Sequence, residues 1–322
     1  MPSILLLIIG LGLVLFGANM MTDGSVGIAR RFGMSDFMIG LTIVAMMTSA
    51  PELTVSVTSA LDGSPAMAVG NIVGSNIFNI LIIVGLTALI NPITVSRGIL
   101  LNELPLVILS SLALLAIGAA PWLDGGAMTI TRVEGLLLLL FFAIFLRYTF
   151  ASAKPDENTQ SKEEKSPQTP LWRSILLTLS GLVALIWGGD WFVDGATGLA
   201  RSLGWSEALI GLTILAAGTS LPELATSVAA ALKGHSDLCM GNVIGSNIFN
   251  IFFVLGTTAT ISPLPFGGIG MLDLWVLTGA SVLLWLVSRI GHRQLTVTRQ
   301  EGAAMVALYI GYIAVLYTQT VA

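Results

Sequence analysis

Charged and cross-linking residues are scarce in this chain. Of 322 residues only 10% are Asp, Glu, Lys or Arg, and there are two histidines and one cysteine. The lone Cys239 excludes an intramolecular disulfide, and the two histidines form no sequence cluster typical of a metal site. The net charge of −4 is small, which argues against a nucleic-acid or acidic partner. So little charge at this length also excludes an ordinary soluble globule.

Long apolar runs take the place of the missing charge. Hydrophobic residues make up 55% of the chain, and each run is near the ~20 residues that a helix needs to cross a bilayer. No Lys or Arg precedes the first run, so we predict a membrane span there rather than a signal peptide. The pattern predicts an all-α membrane protein with ten transmembrane helices, at about 3–22, 36–61, 66–90, 99–119, 131–150, 173–193, 207–232, 238–261, 270–289 and 301–319.

The chain contains an internal repeat. Residues 40–80 align with residues 211–251 at a constant offset of 171, and 24 of the 41 positions are identical. The polar stretch 153–170 is predicted to be a solvated linker. It divides the chain into a first five-helix repeat, 1–152, and a second, 171–322.

The basic residues predict an orientation, since cytoplasmic loops are rich in Lys and Arg. With both termini outside, twelve of the fourteen basic residues fall in cytoplasmic loops, and only Arg132 and Arg201 lie outside. Because each half has an odd number of helices, the halves must enter the membrane in opposite directions. This is an inverted-topology repeat, as in many secondary transporters.

Each repeat carries a glutamate beside a helix-breaking proline, Glu52 after Pro51 and Glu223 after Pro222. A carboxylate within a membrane helix is costly and predicts a functional site. Proline removes a backbone N–H, so carbonyls one turn earlier can face a ligand. We therefore predict that helices 2 and 7 are broken here and present hard oxygen ligands suited to Ca²⁺ or Na⁺. The adjacent hydroxyls are those of Thr48, Ser49, Thr219 and Ser220.

A second repeated motif adds polar side chains on one helix face. Ser75 and Asn79, and likewise Ser246 and Asn250, are four residues apart. A single Ser or Asn in a membrane helix usually makes an interhelical hydrogen bond, but repetition beside the glutamates favours a site. The asparagines of this motif at 71, 76, 242 and 247 are expected to bond to broken backbone.

The remaining acids have a simpler interpretation. Asp23 and Asp194 are repeat counterparts near helix ends, where we expect capping or surface pairing. Glu103 and Glu134 have no acidic counterpart, and we expect them on solvated faces.

The repeated motifs resemble those of a known family. Gly-Thr-Ser-Leu-Pro-Glu-Leu at 218–224 and Gly-Ser-Asn-Ile-Phe-Asn at 245–250, each with its counterpart, resemble the two alpha-repeats of the cation/calcium exchanger superfamily. The closest likeness is to prokaryotic sodium/calcium exchangers, and it covers essentially the whole chain. It implies a multi-pass protein of the bacterial inner membrane that exchanges Na⁺ for Ca²⁺ by alternating access. It implies no catalysis, cofactor or obligate protein partner; the substrates are the two ions and the surroundings are lipid.

The resemblance also implies roles for individual residues. Its calcium site corresponds to Glu52, Glu223, Thr48 and Thr219. Its sodium sites correspond to Ala45, Thr48, Ser49, Glu52 and Ser75 on the inner side, and to Ala216, Thr219, Ser220, Glu223 and Ser246 on the outer side. Asn79 and Asn250 fall in the middle layer.

This chain departs from the family pattern at two positions. Met47 replaces a usual glycine, which bears on the backbone course there. Asn250 stands where potassium-dependent members carry Asp, which disfavours a potassium requirement.

Other functions remain open at this point. A proton-coupled antiporter for Ca²⁺ or another divalent cation would use the same carboxylates, and a channel would share the polar path. An intramembrane hydrolase is disfavoured because no His, Lys or Arg lies near the motifs.

Overall fold

The computed structural model describes residues 2–32, 34–123, 125–152, 170–203, 216–292 and 295–321, and these are mostly helical. In chain order the main helices are α1 (Ser3–Phe32), α2 (Asp36–Leu61), α3 (Pro65–Ile90), α4 (Ile99–Gly118), α5 (Arg132–Ala151), α6 (Leu171–Ser202), α7 (Leu221–Leu232), α8 (Ser236–Ile261), α9 (Met271–Ile290) and α10 (Arg299–Thr318). Within these described ranges, nine helices are long and apolar enough to cross a membrane, and α7 is a shorter apolar helix.

Two parts of the prediction fall largely outside the described residues. They are the linker 153–170, of which only Pro170 is described, and the first nine residues of predicted helix 7, 207–215. The described part of helix 7 consists of a short turn, Ala216–Gly218, followed by α7.

Four two-residue strands tie the helix connections together on two faces. β1 (Ile93–Thr94) pairs antiparallel with β4 (Thr296–Val297), and β2 (Thr129–Ile130) pairs antiparallel with β3 (Leu264–Pro265). The first pair joins the α3–α4 and α9–α10 connections, and the second joins the α4–α5 and α8–α9 connections. We call the face of the β1–β4 pair the basic face, because Arg30, Arg31, Lys233, Arg289 and Arg299 lie at helix ends or connections on that side.

The first helix of each half extends well past its predicted end. The α1 helix continues to Phe32 rather than residue 22, and α6 continues to Ser202 rather than residue 193. Hydropathy detects the apolar part of a helix, whereas the polar last turns of α1 and α6 are helical by backbone hydrogen bonding. Two later helices begin with reciprocal caps: Thr131 with Glu134 at α5, and Thr298 with Glu301 at α10.

The α1 and α6 helices pack along their whole length through small residues. Glycines recur every seven residues at 10, 17 and 24 in α1 and at 181, 188 and 195 in α6, so the two sets are repeat counterparts. A Cβ on Gly17 would lie 2.7 Å from the Gly181 carbonyl oxygen, and one on Gly188 would lie 2.9 Å from that of Gly10. Such close approach needs residues without side chains. We call this interface the glycine seam.

The direction of the glycine seam shows how the halves are related. Low-numbered residues of α1 contact high-numbered residues of α6, so these two counterpart helices run antiparallel. The halves are therefore inverted with respect to each other, as predicted. The counterpart helices α3 and α8 lie at the centre, and 78% and 94% of their apolar windows are buried.

Candidate ion-binding site

In both halves the helix is interrupted at a serine two residues before the proline. In α2 the backbone leaves helical geometry at Ser49, with φ −82° and ψ 6°, and helix resumes at Ala50. In the second half Ser220 has φ −89° and ψ 7° before α7 begins. Pro51 and Pro222 occupy the first turn after each break, where a missing N–H costs nothing. Each break leaves a glutamate in the first turn that follows it.

The two glutamates are bound crosswise by serines of the opposite half. The Ser49 hydroxyl donates to Oε1 of Glu223 at 3.1 Å, and the Ser220 hydroxyl donates to Oε1 of Glu52 at 3.3 Å. Both carboxylates and both serines have 0% exposure. Residues 174 and 168 positions apart in sequence thus meet in the buried interior. They form one shared site rather than two separate ones.

Several oxygens at this centre have no hydrogen-bond partner among the described residues. They include the second carboxylate oxygen, Oε2, of each glutamate. The others are the hydroxyls of Ser75 and Ser246 and the amide oxygens of Asn79 and Asn250. An unpaired buried polar atom is costly, and native structures leave few of them. Here they are the side-chain acceptors that the sequence motifs predict as ligands.

A second layer of hydrogen bonds supports the glutamates. The Thr48 hydroxyl donates to Oδ1 of Asn242, and the Thr219 hydroxyl donates to Oδ1 of Asn71, both at 3.2 Å. Asn71 in turn donates to the Glu52 carbonyl at 3.5 Å and to Ser56 at 3.4 Å. The corresponding bonds of Asn242 are 3.4 Å to the Glu223 carbonyl and 3.0 Å to Ser227. Two predicted backbone-binding asparagines thus hold the broken helices, as expected.

Asn79 and Asn250 lie in π-helical turns, Asn79–Ile83 and Phe249–Leu255. Such turns add a residue to the helix and re-aim the side chains beside them. The Asn250 amide donates to Oδ1 of Asn76 at 3.0 Å, and Asn76 donates to the Asn247 carbonyl at 3.1 Å. The predicted backbone role of Asn76 is confirmed. Nothing in the sequence signalled the π-helical turns.

The two predicted backbone ligands are placed differently. The Ala45 carbonyl accepts bonds from the Ser49 N–H at 3.0 Å and the Thr48 hydroxyl at 3.3 Å. Ala216 begins the short helical turn that ends at Gly218. At Gly218 a side chain has no room, since a Cβ would meet Val193. Its counterpart Met47 is partly buried against the apolar core, so the helix of the first half accommodates the bulkier residue.

A cleft of about 550 Å³ reaches this site from one side. Its walls are the second part of α2 and the middle of α6, and Thr219 and both prolines of the breaks lie along it. Asp190 and Asp194 line the cleft on α6. Ala50, Pro51, Thr54 and Val55 follow the break in α2, and Asp190 and Asp194 lie in the second half of α6, so the cleft lies on the side away from the basic face.

The electrostatics of the centre are dominated by two acids. Among the described residues, no Lys, Arg or His forms an ion pair with Glu52 or Glu223. If both are ionised, the empty site carries a charge of about −2 in a poorly polarisable environment. Such charge is stable only when cations compensate it. Carboxylate and hydroxyl oxygens of this kind are suited to hard cations.

The acids outside the centre have different environments in the structure. Asp23 pairs with Lys233 at 2.7 Å, so the expected surface pairing is confirmed. Glu134 caps α5. The expectation for Glu103 is wrong: it is 9% exposed and its Oε2 has no partner among the described residues, because α4 begins with a π-helical turn that directs it inward.

The chain is similar to a known protein family over both of its halves. The profile of the family described as "Sodium/calcium exchanger protein" matches residues 2–151 and 173–318, which comprise both halves. CaxA of Alkalimonas amylolytica is 41% identical over 319 residues, 97% of each chain. "Sodium/calcium exchanger MaX1" of Methanosarcina acetivorans is 28% identical over 98% of each chain.

Solved structures give the same result. The sodium-calcium exchanger NCX_Mj, soaked with zero Na⁺ and Ca²⁺, superposes with a TM-score of 0.83 at 33% identity. The match covers 98% of this chain and 99% of that one. The match therefore spans both inverted halves of the chain.

Proposed function

The chain belongs to the sodium/calcium exchanger family and is a Na⁺/Ca²⁺ antiporter of the membrane, and we propose that it exports Ca²⁺ electrogenically through the site between Glu52 and Glu223. The observation that supports this site most directly is the crosswise pairing of each glutamate with the other half's serine. Both glutamates keep one oxygen without a partner among the described residues. The two glutamates belong to opposite halves of the chain.

In this proposal Ca²⁺ binds between the two carboxylates. Ca²⁺ takes six to eight oxygen ligands, with carboxylates and carbonyls preferred. Glu52 and Glu223 supply the negative charge, and the Thr48 and Thr219 carbonyls beside the breaks supply neutral ligands. One Ca²⁺ neutralises a site of about −2. The middle-layer amide oxygens of Asn79 and Asn250 complete the surroundings without adding charge.

Sodium ions would bind on either side of this centre, each sharing one glutamate. The inner sodium ligands are Ala45, Thr48, Ser49, Glu52 and Ser75. The outer sodium ligands are Ala216, Thr219, Ser220, Glu223 and Ser246. Unpartnered hydroxyls at Ser75 and Ser246 support these two positions. At the inner position the Ala45 carbonyl would share its two present hydrogen bonds with the ion.

Competition for the glutamates couples the two ions. A carboxylate that ligates Ca²⁺ is not available to neutralise Na⁺, so the site holds one kind of cation at a time. Exchange of the two halves' conformations would move the access cleft to the opposite side. Na⁺ moving down its gradient then drives Ca²⁺ the other way, which under ordinary ion gradients is export.

We place the basic face in the cytoplasm, since Lys and Arg accumulate on that side of membrane proteins. Both termini and the open cleft are then outside, and the central linker is cytoplasmic. For a bacterial chain the membrane is the inner one.

The deciding experiment measures ⁴⁵Ca²⁺ uptake into proteoliposomes under an imposed Na⁺ gradient and, separately, under a pH gradient. Sodium coupling predicts uptake with an outward Na⁺ gradient and background uptake with the pH gradient alone. Uptake with the pH gradient and without Na⁺ would establish the proton-coupled alternative. Flux without any counter-ion would indicate a channel.

A further inference from the structure

One pair of helices packs together on the basic face, whereas the corresponding pair of the other half is separated on the opposite face. On the basic face α1 packs directly against α7. The counterparts of these helices are α6 and the second part of α2, and the cleft separates them. The structure is therefore closed on the basic face and open on the opposite face. The repeat gives both faces an equivalent pair of helix surfaces, and the pair on the basic face is packed together while the other pair is separated by the cleft.

An ion pair joins the halves at the closed interface. Lys233, which follows α7, places its ammonium 2.7 Å from Oδ1 of Asp23 in α1. The same ammonium donates to the Asn19 carbonyl at 3.1 Å. Lys233 belongs to the second half, and both of its partners belong to the first. The side chains are 28% and 62% exposed, so the pair lies at the edge of the interface.

Two of the three counterparts of these residues have a different charge. At an offset of 171, Asp62 corresponds to Lys233, Asp194 to Asp23, and Asp190 to Asn19. Asp190 and Asp194 line the open cleft, and Asp62 follows the last residue of α2, on the same side. If the outer face closed as the basic face has closed, these three carboxylates would approach one another without the lysine. Arg201, two turns beyond Asp194, is already engaged in another interaction.

We propose that the Lys233–Asp23 ion pair holds the cytoplasmic side closed, and that Asp62 with Asp190 and Asp194 opposes closure of the outer side. The ion-free protein then rests with its cleft open to the outside. Like charges brought together raise the free energy of one state, and the ion pair lowers that of the other. An equilibrium responds to any such difference between its two states. The naming of the two sides rests on the proposed orientation, but the charge asymmetry does not.

The test measures access to the cleft directly, without transport. Thr54 is an exposed residue of the cleft wall, and Cys239 is buried. A Cys239→Ala, Thr54→Cys background in right-side-out vesicles free of Na⁺ and Ca²⁺ is labelled with an uncharged, membrane-impermeant maleimide. Asp62→Lys supplies the missing lysine and should slow labelling by about threefold to tenfold, the effect of one or two ion pairs near the surface. Asp62→Asn should give an intermediate rate.

Two further variants separate the ion pair from general damage. Lys233→Asp should also slow outer labelling, because it replaces the attraction on the basic face with repulsion. Adding Asp23→Lys to Lys233→Asp restores an ion pair of reversed polarity and should restore the rate. Ala127→Lys, in the exposed outer α4–α5 connection, adds a positive charge away from the cleft and should leave the rate unchanged.

The labelling rates test the ion pair, the orientation and the sodium assignment separately. Equal rates in the parent, Asp62→Lys and Lys233→Asp would overturn the proposal, as would failure of the reversed pair to restore labelling. Labelling of inverted vesicles by added reagent, without labelling of right-side-out vesicles, would overturn the orientation while leaving the charge comparison intact. Rate changes in a chain that proves to be proton-coupled would support the ion pair and contradict the sodium assignment separately.

Discussion

The hydroxyl of Ser49 lies 3.1 Å from the carboxylate of Glu223, although 174 residues separate them in the chain. The counterpart bond, from Ser220 to Glu52, is nearly the same length. Neither half completes its own site, because each glutamate depends on a hydroxyl of the other half. An inverted repeat therefore brings two equivalent acids into one shared hydrogen-bonded cluster.

Replacing either glutamate by glutamine should abolish exchange while the protein still folds. Glu52→Gln or Glu223→Gln removes one of the two negative charges and keeps the side-chain volume. We expect Na⁺-driven ⁴⁵Ca²⁺ uptake to fall at least about 100-fold, since breaking a buried charge arrangement costs about 3–5 kcal/mol. The matched control is Glu134→Gln at the α5 cap, which should retain uptake. Near-normal transport by either site variant would remove the basis for the assignment.

Replacing the crosswise serines should affect sodium more than calcium. Ser49→Ala and Ser220→Ala each delete a hydrogen bond to a carboxylate, worth about 1.5–3 kcal/mol, and a proposed Na⁺ ligand. The half-saturating Na⁺ concentration should rise roughly tenfold in each, with a smaller change for Ca²⁺. Ser110→Ala is the control, because that buried hydroxyl binds only the Val107 carbonyl of its own helix. Equal losses for both ions would instead indicate a supporting role.

Transport should respond to membrane voltage. One Ca²⁺ or the two proposed Na⁺ neutralise a site of about −2, and a third Na⁺ held by backbone dipoles would bring it to about +1. Full transfer of one charge corresponds to ~2.3 kcal/mol per 100 mV. In proteoliposomes clamped with K⁺ and valinomycin, inside-negative potential should speed Ca²⁺ export. A sodium-dependent rate that is independent of voltage would indicate neutral two-for-one exchange.

The positions of the chain ends can be checked with reporters. A reporter fused after Ala322 should be active on the outer side of the membrane, and one inserted at Glu157 should be active in the cytoplasm. The expectation follows from the distribution of Lys and Arg. Both reporters in one compartment would contradict the five-plus-five arrangement.

The glycine seam should tolerate no added methyl group. In Gly17→Ala the new Cβ would lie 2.7 Å from a backbone oxygen of α6, so the helices must separate. Overpacking of this kind costs about 1–3 kcal/mol, and the melting temperature of the purified protein should fall by several degrees. Gly12→Ala is the matched control, because a Cβ there meets no described atom within 4 Å. Equal melting temperatures would show that the seam can relax.

The central site could be predicted from sequence because its chemistry is repeated. Glu52 and Glu223 occupy equivalent positions of the repeat, and both lie in apolar segments. A purely structural role rarely requires a carboxylate at both positions. The proline beside each one marks the break. The structure added what no linear pattern carries, namely which residues meet across the halves. In the sequence Ser49 is close to Glu52 and Ser220 is close to Glu223. In the structure each serine donates a hydrogen bond to the glutamate of the opposite half.

Features that depend on conformation could not be predicted. A sequence does not state which face is open, so the cleft beside Asp190 and Asp194 was not foreseen. The π-helical turns also left no signal, because one extra residue in a helical turn barely alters periodicity. Glu103 was expected on a solvated face because it has no acidic counterpart in the repeat, and it is buried at the end of such a turn instead.

The glycine seam has a consequence for how the protein can move. The contact of Gly17 with Gly181 becomes, under the repeat, the contact of Gly188 with Gly10, which is also present. The seam is thus an isologous surface, like that of a symmetric homodimer fused into one chain. Exchanging the conformations of the two halves maps this surface onto itself. Such an exchange therefore requires no change in the contacts between α1 and α6.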